Sequence, residues 1–222
     1  TPIQSNSIPI ILEGKDALLV APTGSGKTES AILPLLSRSL SEKWQESSIL
    51  YITPLRALNR DIDRRLPQLL EPLNLSVALR HGDTPNSERQ RQSKKPPHLW
   101  ITTPETLQIM LLGSRLREHL SNIKAIIVDE VHDLAASERG SQLLLAMERL
   151  QSLSTNKIQR IGLSATVGDK KFIAKALDSK NYSNTKIISG SVSGSYKLKL
   201  SLKGYEYDSK LIGEELDAAT SE

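Results

Sequence analysis

Short apolar runs alternate along the chain with segments whose apolar positions have the spacing of a helix. Six of these runs predict buried strands: Ala17–Val20, Ser48–Thr53, Ser76–Leu79, Leu99–Thr102, Ala125–Asp129 and Ile158–Ser164. Two of the intervening segments have an apolar helical face, formed in the first by Ala31, Ile32, Leu35, Leu36 and Leu40, and in the second by Leu143, Leu144, Met147 and Leu150. Strands that alternate with helices predict an α/β fold with a mostly parallel sheet of about seven strands, flanked by helices.

Local signals predict where individual helices begin, end or bend. The pair Thr103-Pro104 predicts a helix start, because threonine caps a helix well and proline is tolerated in its first turn. Gly113 predicts the end of the same helix. Pro34 falls inside the first apolar helical face, so an irregularity is expected in that helix.

The regular alternation of strands and helices ends near Ser189. The segment Gly190–Ser195 has the glycine and serine content of a linker. We therefore expect one domain over residues 1–190 and a connection leading out of it over residues 191–222. The connection is expected to lead toward a further domain.

Composition excludes several kinds of protein and suggests one kind of partner. The chain has no cysteine, which excludes disulfide bonds and cysteine-based zinc sites and fits a reducing, cytoplasmic environment. No run approaches the roughly 20 apolar residues of a membrane span, so no membrane partner is expected. Residues 53–100 contain nine Lys or Arg against five Asp or Glu, which accounts for the net charge of +4. Such one-sided basicity favours a nucleic-acid backbone as partner, although a solubilising face would give the same pattern.

The chemically most specific segment follows the first predicted strand and opens a predicted helix; it reads Ala21-Pro22-Thr23-Gly24-Ser25-Gly26-Lys27-Thr28-Glu29. The glycines let several backbone N–H groups converge on one phosphate cluster, and the helix N-terminus adds partial positive charge. Lys27 can reach the β- and γ-phosphates of ATP, and the Thr28 hydroxyl can ligate Mg²⁺. Ala21 replaces the first glycine of the usual pattern.

A second segment, Asp129-Glu130-Val131-His132, lies about 100 residues further on, at the end of the fifth predicted strand. Acidic residues at the carboxyl end of a buried parallel strand lie at the ligand-binding edge of the sheet. Asp129 is expected to hold Mg²⁺, and Glu130 to orient or deprotonate the attacking water. Because this segment follows the phosphate loop in the correct strand context, the pair predicts an ATP-hydrolysing site.

Four more motifs follow the second, third, fourth and sixth predicted strands: Thr53-Pro54-Leu55-Arg56-Ala57-Leu58, Arg80-His81-Gly82-Asp83, Thr103-Pro104-Glu105 and Ser164-Ala165-Thr166. With the phosphate loop and the acidic segment, this order resembles the first RecA-like domain of superfamily 2 helicases. The amino-acid sequence around the motifs resembles that of the Lhr (large helicase-related) group. The segments that carry this resemblance are Ala21–Glu29, Tyr51–Asp61, Arg80–Ser93, Ile101–Leu111, Val128–Leu134 and Gln159–Gly168. The resemblance covers residues 1 to about 190.

This resemblance implies roles for individual residues. Gln4 matches the glutamine that reads the adenine edge of ATP, a task suited to a side chain that both donates and accepts. The residues expected to grip the sugar-phosphate backbone of nucleic acid are Pro54, Leu55, Arg56, Gly82, Thr103, Pro104 and Glu105. The motif Ser164, Ala165 and Thr166 is expected to couple hydrolysis to movement, with His132 facing it.

The remaining basic residues and histidines have less specific interpretations. Arg56, Arg60 and Arg64 recur on one predicted helical face and could line the nucleic-acid path or form a solvated stripe. A solvated face is favoured for Arg89, Arg91, Lys94 and Lys95. Structural or exposed positions are expected for His98 and His119.

The resemblance implies ATP hydrolysis coupled to unwinding of DNA or RNA:DNA with 3′-to-5′ polarity in the intact enzyme. It also implies a second RecA-like domain that supplies an arginine finger, so the chain alone should hydrolyse ATP slowly. Two alternatives stay open: an RNA helicase of a neighbouring DExH family, and a nucleotide-gated nucleic-acid-binding module that does not unwind. A nucleotide kinase or transporter ATPase is disfavoured, because it would not explain the other motifs.

Overall fold

The described part of the chain contains seven strands, which lie side by side in one all-parallel sheet. A computed structural model describes residues 1–54, 64–135, 137–165, 169–178 and 180–190. In chain order the strands are β1 Ala17–Val20, β2 Ile49–Ile52, β3 Val77–Arg80, β4 Leu99–Thr102, β5 Ala125–Val128, β6 Gln159–Ser164 and β7 Lys186–Ser189. Across the sheet they follow the order β3-β4-β2-β5-β6-β1-β7. The predicted α/β fold with a parallel sheet is confirmed.

Helices connect the strands, as parallel pairing requires. They are α1 Pro2–Leu12, α2 Lys27–Ser41, α3 at residues 64–70, α4 Asn86–Lys94, α5 Pro104–Met110, α6 Ser114–Leu120, α7 Val131–Ala135, α8 Glu138–Leu153 and α9 Lys170–Leu177. Two short 3₁₀ turns occupy Glu71–Leu73 and Tyr182–Asn184. Within the described residues, no helix combines the length and the apolar character needed to cross a membrane.

Apolar side chains fill the space on both faces of the sheet. Leu18 and Trp100 belong to a cluster with residues of α5, α8 and α9 on one face. Leu19 and Tyr51 belong to a second cluster, with residues of α1, α2 and α3, on the other face. Successive strand residues point to opposite faces, so a strand covered on both sides must be apolar throughout. This burial holds the strand ends, and the loops that follow them, in fixed positions.

The six strands located from the sequence are all present and in the predicted order, and each differs from the observed strand by at most one residue at either end. The seventh strand, β7, has no clear sequence pattern because only Ile188 of its four residues is buried. It lies at the edge of the sheet and pairs only with β1 among the described strands.

Two local expectations need correction. Leu40, predicted on the apolar face of α2, has 44% of its surface exposed; it lies in the last turn of the helix, which ends at Ser41. Gly113 does not end α5, which stops at Met110; it is instead the N-cap of α6. The predicted connection at residues 191–222 lies outside the described residues.

The topology brings the carboxyl ends of β1, β2, β5 and β6 to one edge of the sheet. The backbone N–H of Ala21 donates to Ser164 O at 3.1 Å, which joins the residues that follow β1 and the end of β6. The N–H of Asp129 donates to Ile52 O at 2.8 Å, which joins the ends of β5 and β2. Segments separated by more than 100 residues in the sequence therefore meet at this edge, where open parallel sheets bind their ligands.

Candidate nucleotide and nucleic-acid site

The loop after β1 has the backbone geometry of a phosphate-binding loop. Gly24 and Gly26 have φ angles of +76° and +91°, in the left-handed region that glycine adopts without steric cost. Gly26 is also the N-cap of α2, so the loop runs directly into the positive end of a 15-residue helix. This arrangement lets the backbone surround an anion.

Lys27 begins α2, and its ammonium group is drawn back against the loop. Its Nζ donates to Ala21 O at 2.6 Å and to Pro22 O at 3.0 Å, and only 8% of the residue is exposed. Burial lowers the pKa of Lys27, while the charges of Glu130 and Asp129 oppose that shift. A desolvated ammonium beside two carboxylates is well placed to interact with the charged groups of a nucleotide.

Asp129 follows β5 and lies in a tight network of hydrogen bonds. Its Oδ2 accepts a 2.5 Å hydrogen bond from the hydroxyl of Tyr51, and its Oδ1 accepts from the backbone N–H of Glu130 at 3.0 Å. Burial raises the pKa of Asp129, and the hydrogen bond from Tyr51 acts in the opposite direction. Burial also raises the pKa of Tyr51, as does the charge of Asp129, whereas a hydrogen bond with the Thr28 side chain lowers it. Tyr51 therefore connects Thr28 with Asp129, the two expected metal ligands.

Sequence reasoning missed Tyr51, because it was counted only as part of an apolar strand. A signal was present, since a buried tyrosine hydroxyl needs a hydrogen-bond partner. The partner could not be read from the sequence, because it depends on β2 and β5 being neighbours in the sheet.

Glu130 and His132 link the acidic segment to β6. Glu130 has a φ of +44°, a conformation that costs energy in a non-glycine residue and is found more often at functional sites. Burial raises the pKa of Glu130, and the charge of Asp129 raises it further. His132 Nδ1 lies 3.4 Å from Glu130 Oε2 and 3.0 Å from Ser164 Oγ. The structure thus brings His132 and Ser164 together as expected; Ala165 follows directly, and Thr166 lies outside the described residues.

The other predicted nucleotide-binding residues surround the phosphate loop. A Cβ added to Gly26 would lie 2.7 Å from Gln4 Nε2, so the Gln4 side chain packs against the loop. Thr23 is exposed at the tip of the loop. Ser25 Oγ is buried without a hydrogen-bond partner in the described part of the chain. Glu29, in the first turn of α2, forms an ion pair with Arg65 of α3.

Two predicted backbone-gripping motifs are joined by Arg139, which sequence reasoning did not single out. Thr103 caps α5, and its hydroxyl also donates to Thr106 Oγ1 at 3.1 Å. Glu105 accepts a hydrogen bond from Arg139 Nε at 2.6 Å, and Arg139 Nη2 donates to Pro54 O at 3.2 Å. The side chains of Thr103 and Glu105 thus have partners within the protein. Leu55 and Arg56 lie outside the described residues.

The loop that contains Gly82 is held by an arginine from the following helix. Arg89 Nη2 donates to Gly82 O at 2.7 Å and to His81 O at 3.3 Å. The favoured interpretation of Arg89 as a solvated residue is therefore wrong, because its guanidinium donates to two carbonyl groups of the loop backbone. By contrast, Arg91 and Lys94 on α4 and Lys95, the residue that follows it, are exposed as expected.

The expectation of structural histidines is confirmed by their hydrogen bonds. His98 Nδ1 accepts from the backbone N–H of Ser76 at 3.0 Å, and His119 Nε2 lies 3.1 Å from Ser93 O.

Within the described residues, no group of three or more His, Cys, Asp or Glu side chains could hold a metal ion. A metal at this site would therefore need ligands from the bound nucleotide as well as from the protein.

Comparison with known proteins agrees with this geometry. The family model of the DEAD/DEAH box helicases matches residues 1–173. The chain belongs to this family. The ATP-dependent helicase Lhr-Core of Sulfolobus acidocaldarius is 42% identical over 191 residues, which cover 80% of this chain and 22% of that protein. The Lhr helicase/uracil glycosylase of Escherichia coli is 41% identical over 198 residues, covering 80% of this chain and 13% of that protein.

Among solved structures, the Mycobacterium smegmatis helicase Lhr bound to ssDNA and AMP-PNP has 38% sequence identity and a TM-score of 0.75. The match covers 86% of this chain and 26% of that one. The resemblance to Lhr helicases inferred from the motifs is thereby confirmed. The chain spans less than a quarter of the length of these curated relatives.

Proposed function

We propose that this chain is the ATP-binding motor domain of an ATP-dependent helicase, which translocates on DNA or RNA:DNA with ATP hydrolysis in the full-length protein. The observation that carries the proposal is the meeting of Lys27, Asp129 and Glu130 at one sheet edge. The motifs expected to contact nucleic acid begin at the same edge, since Pro54 and Thr103 follow β2 and β4. Nucleotide and nucleic acid would thus act on neighbouring loops of one rigid sheet.

The residues at the phosphate loop fit a nucleotide with Mg²⁺. The Ser25 hydroxyl, which is buried without a partner among the described residues, is available to a phosphate oxygen. Thr28 and Asp129 offer the hard oxygen ligands that Mg²⁺ prefers, and Lys27 supplies charge for the β- and γ-phosphates. When bound, Mg²⁺ neutralises charge on the phosphates. Gln4, whose side chain packs against the loop, is the residue proposed to contact the adenine base.

Glu130 is the group proposed to orient the attacking water and accept its proton. Its carboxyl is partly buried near His132, and Oε2 has no hydrogen-bond partner within the described residues. A carboxylate oxygen without such a partner can accept a hydrogen bond from water. His132 also contacts Ser164 Oγ. A movement of the Glu130 side chain can therefore be transmitted to the Ser164-Ala165-Thr166 motif through the side chain of His132.

Replacing Tyr51 with phenylalanine tests the proposed metal site. The change removes the hydrogen bond to Asp129 Oδ2 and the contact with Thr28 without changing the ring. Groups that hold a metal ligand in place typically affect metal affinity by about 10- to 100-fold. We expect Tyr51→Phe to raise the Mg²⁺ concentration needed for half-maximal binding of a fluorescent ATP analogue by about tenfold.

Tyr182→Phe is the matched control, because Tyr182 lies in the surface 3₁₀ turn Tyr182–Asn184, outside the candidate site. Both variants would be measured in an Mg²⁺ titration after their thermal unfolding has been compared with that of the wild type. An unchanged Mg²⁺ midpoint for a folded Tyr51→Phe protein would argue against Tyr51 as an organiser of this site.

The proposal includes a second RecA-like domain as a partner. In phosphoryl transfer, an arginine supplied across the site stabilises charge in the transition state and contributes about 10³- to 10⁵-fold in rate. The resemblance to superfamily 2 helicases implies that the second domain supplies this group. Nucleic acid would bind along the two domains through its backbone, with affinity that decreases steeply as the salt concentration rises.

Strand displacement by the full-length protein tests the proposed function. Labelled duplexes would carry a single-stranded 3′ or 5′ tail, and the tailed strand would be DNA or RNA. We expect ATP-dependent displacement of duplexes with a 3′ DNA tail. Displacement only from RNA tails would instead identify an RNA helicase, and ATP-dependent binding without displacement would identify a nucleotide-gated module. Either result would contradict the proposal.

A further inference from the structure

Arg139 lies where three motif-bearing segments of the domain come together. It stands in the first turn of α8, just after α7, which carries His132. Its guanidinium donates through Nε to Glu105 Oε1 at 2.6 Å and through Nη2 to Pro54 O at 3.2 Å. One side chain therefore contacts the loop after β2 and the helix after β4, and is anchored next to the acidic segment after β5.

The backbone around Arg139 is held tightly against α7. Ser137 Oγ accepts from the Gly140 N–H at 3.2 Å and donates to Leu134 O at 2.8 Å. A Cβ added to Gly140 would lie 1.9 Å from Leu134 O. Only glycine therefore allows the first turn of α8 to approach α7 this closely. A displacement of α7 must therefore move the backbone of Arg139.

Further hydrogen bonds join α8 to α5 beyond Arg139. Gln108 Nε2 donates to Gln142 O at 2.7 Å, and Arg149 Nη1 donates to Gln108 Oε1 at 3.2 Å. These bonds fix the helix that begins with Thr103-Pro104-Glu105 to α8. These contacts connect α5 to α8, and Arg139 extends the connection to the loop at Pro54.

The stability of the fold does not explain the Arg139–Glu105 pair. Its side chains are 45% and 51% exposed, and exposed ion pairs contribute little to stability. Its geometry is specific, because a planar guanidinium can donate to two acceptors in fixed directions, whereas a lysine ammonium cannot reproduce that fork. A carboxylate beside a nucleic-acid backbone would also repel phosphates unless it were paired, and Arg139 provides that pairing.

We propose that Arg139 is a positioning residue that joins the two backbone-gripping motifs at Pro54 and Glu105 into one unit and links it to the segment bearing Glu130. Binding of nucleic acid then shifts α8 and α7 together, and so adjusts Glu130 for hydrolysis. The inference rests on the proposed helicase function and adds the route by which nucleic acid stimulates the ATPase.

The test uses the full-length protein and three variants, Arg139→Lys, Glu105→Gln and the double variant. ATPase activity is measured as a function of single-stranded DNA concentration and of salt. We expect each single variant to need about tenfold more DNA for half-maximal stimulation and to reach a lower stimulated rate, within the range seen for couplings between linked sites. The double variant should be no worse than Arg139→Lys, because both changes break the same contact.

Arg91→Lys is the matched control, because Arg91 forms an exposed pair with Glu88 within α4, at 2.8 Å. It should behave as the wild type in every assay. The salt dependence separates positioning from direct phosphate binding, since Arg139→Lys keeps its charge and should keep the wild-type slope. Thermal unfolding of each variant shows whether it is folded.

Two results would overturn the inference. The first is that Arg139→Lys matches the wild type in stimulation while Arg139→Ala loses affinity and about one unit of salt slope, which would identify a simple phosphate contact. Additive losses in the double variant would show that Arg139 and Glu105 act separately. If the wild-type ATPase is not stimulated by nucleic acid at all, the proposed helicase function itself fails, which is a different outcome from either of these.

Discussion

Glu130→Gln should bind Mg·ATP as the wild type does and lose at least about 100-fold in ATP turnover by the full-length protein, since a general base contributes about 10²- to 10⁴-fold. The amide keeps the size and hydrogen-bonding capacity of the side chain but cannot accept a proton from water. The position of Glu130 is specified by its backbone conformation and by His132, so no other carboxylate can take its place without rearrangement. Steady-state ATPase assays with saturating nucleic acid measure the effect.

The control for this change is Glu118→Gln, because Glu118 is an exposed acid on α6. Turnover by Glu130→Gln at the wild-type rate would require a different base.

The pH dependence of ATP turnover by the wild type provides a second check on Glu130. Burial and the charge of Asp129 raise the pKa of Glu130, so the base becomes protonated at a higher pH than an exposed glutamate would. The rate should therefore fall on the acid side as pH decreases through that raised pKa.

Lys27→Ala should weaken binding of both ATP and ADP by about 100-fold or more, since removing one partner of a buried, hydrogen-bonded charge pair costs about 2–5 kcal/mol. The ammonium of Lys27 is largely desolvated and interacts with Asp129 and Glu130. Without it, two carboxylates remain close to the phosphates with less compensating charge. A titration with a fluorescent ATP analogue gives the affinity directly, and it can be performed on the 222-residue chain itself.

Lys175→Ala serves as the control, because Lys175 is an exposed lysine on α9. Lys27 also donates to Ala21 O and Pro22 O, so its loss could alter the loop. Thermal unfolding without nucleotide detects a loss of fold, and Lys27→Arg separates charge from shape by keeping the charge in a larger group. Equal affinities for the wild type and Lys27→Ala would contradict the placement of the nucleotide at this loop.

The strands and their connections could be predicted because their signals are local. A strand buried on both faces must be apolar along its whole length, and Ala17–Val20 and Leu99–Thr102 were located to the residue for this reason. The glycine-rich loop and the acidic segment were equally accessible, since phosphate chemistry requires particular residues at fixed spacing beside a strand end. The edge strand Lys186–Ser189 was missed because it buries only one residue and has no such pattern.

The contacts that organise the site are long-range and follow from the order of the strands. Tyr51 reaches Asp129 because β2 and β5 are neighbours, although 78 positions separate them in the chain. Arg139 reaches Pro54 and Glu105 because α8 packs beside α5. A polar side chain in a sequence does not indicate its partner, whereas an apolar one only has to be buried. The sequence by itself therefore determined the fold class, the family and the chemical groups, and the tertiary structure decided which groups hold one another in place.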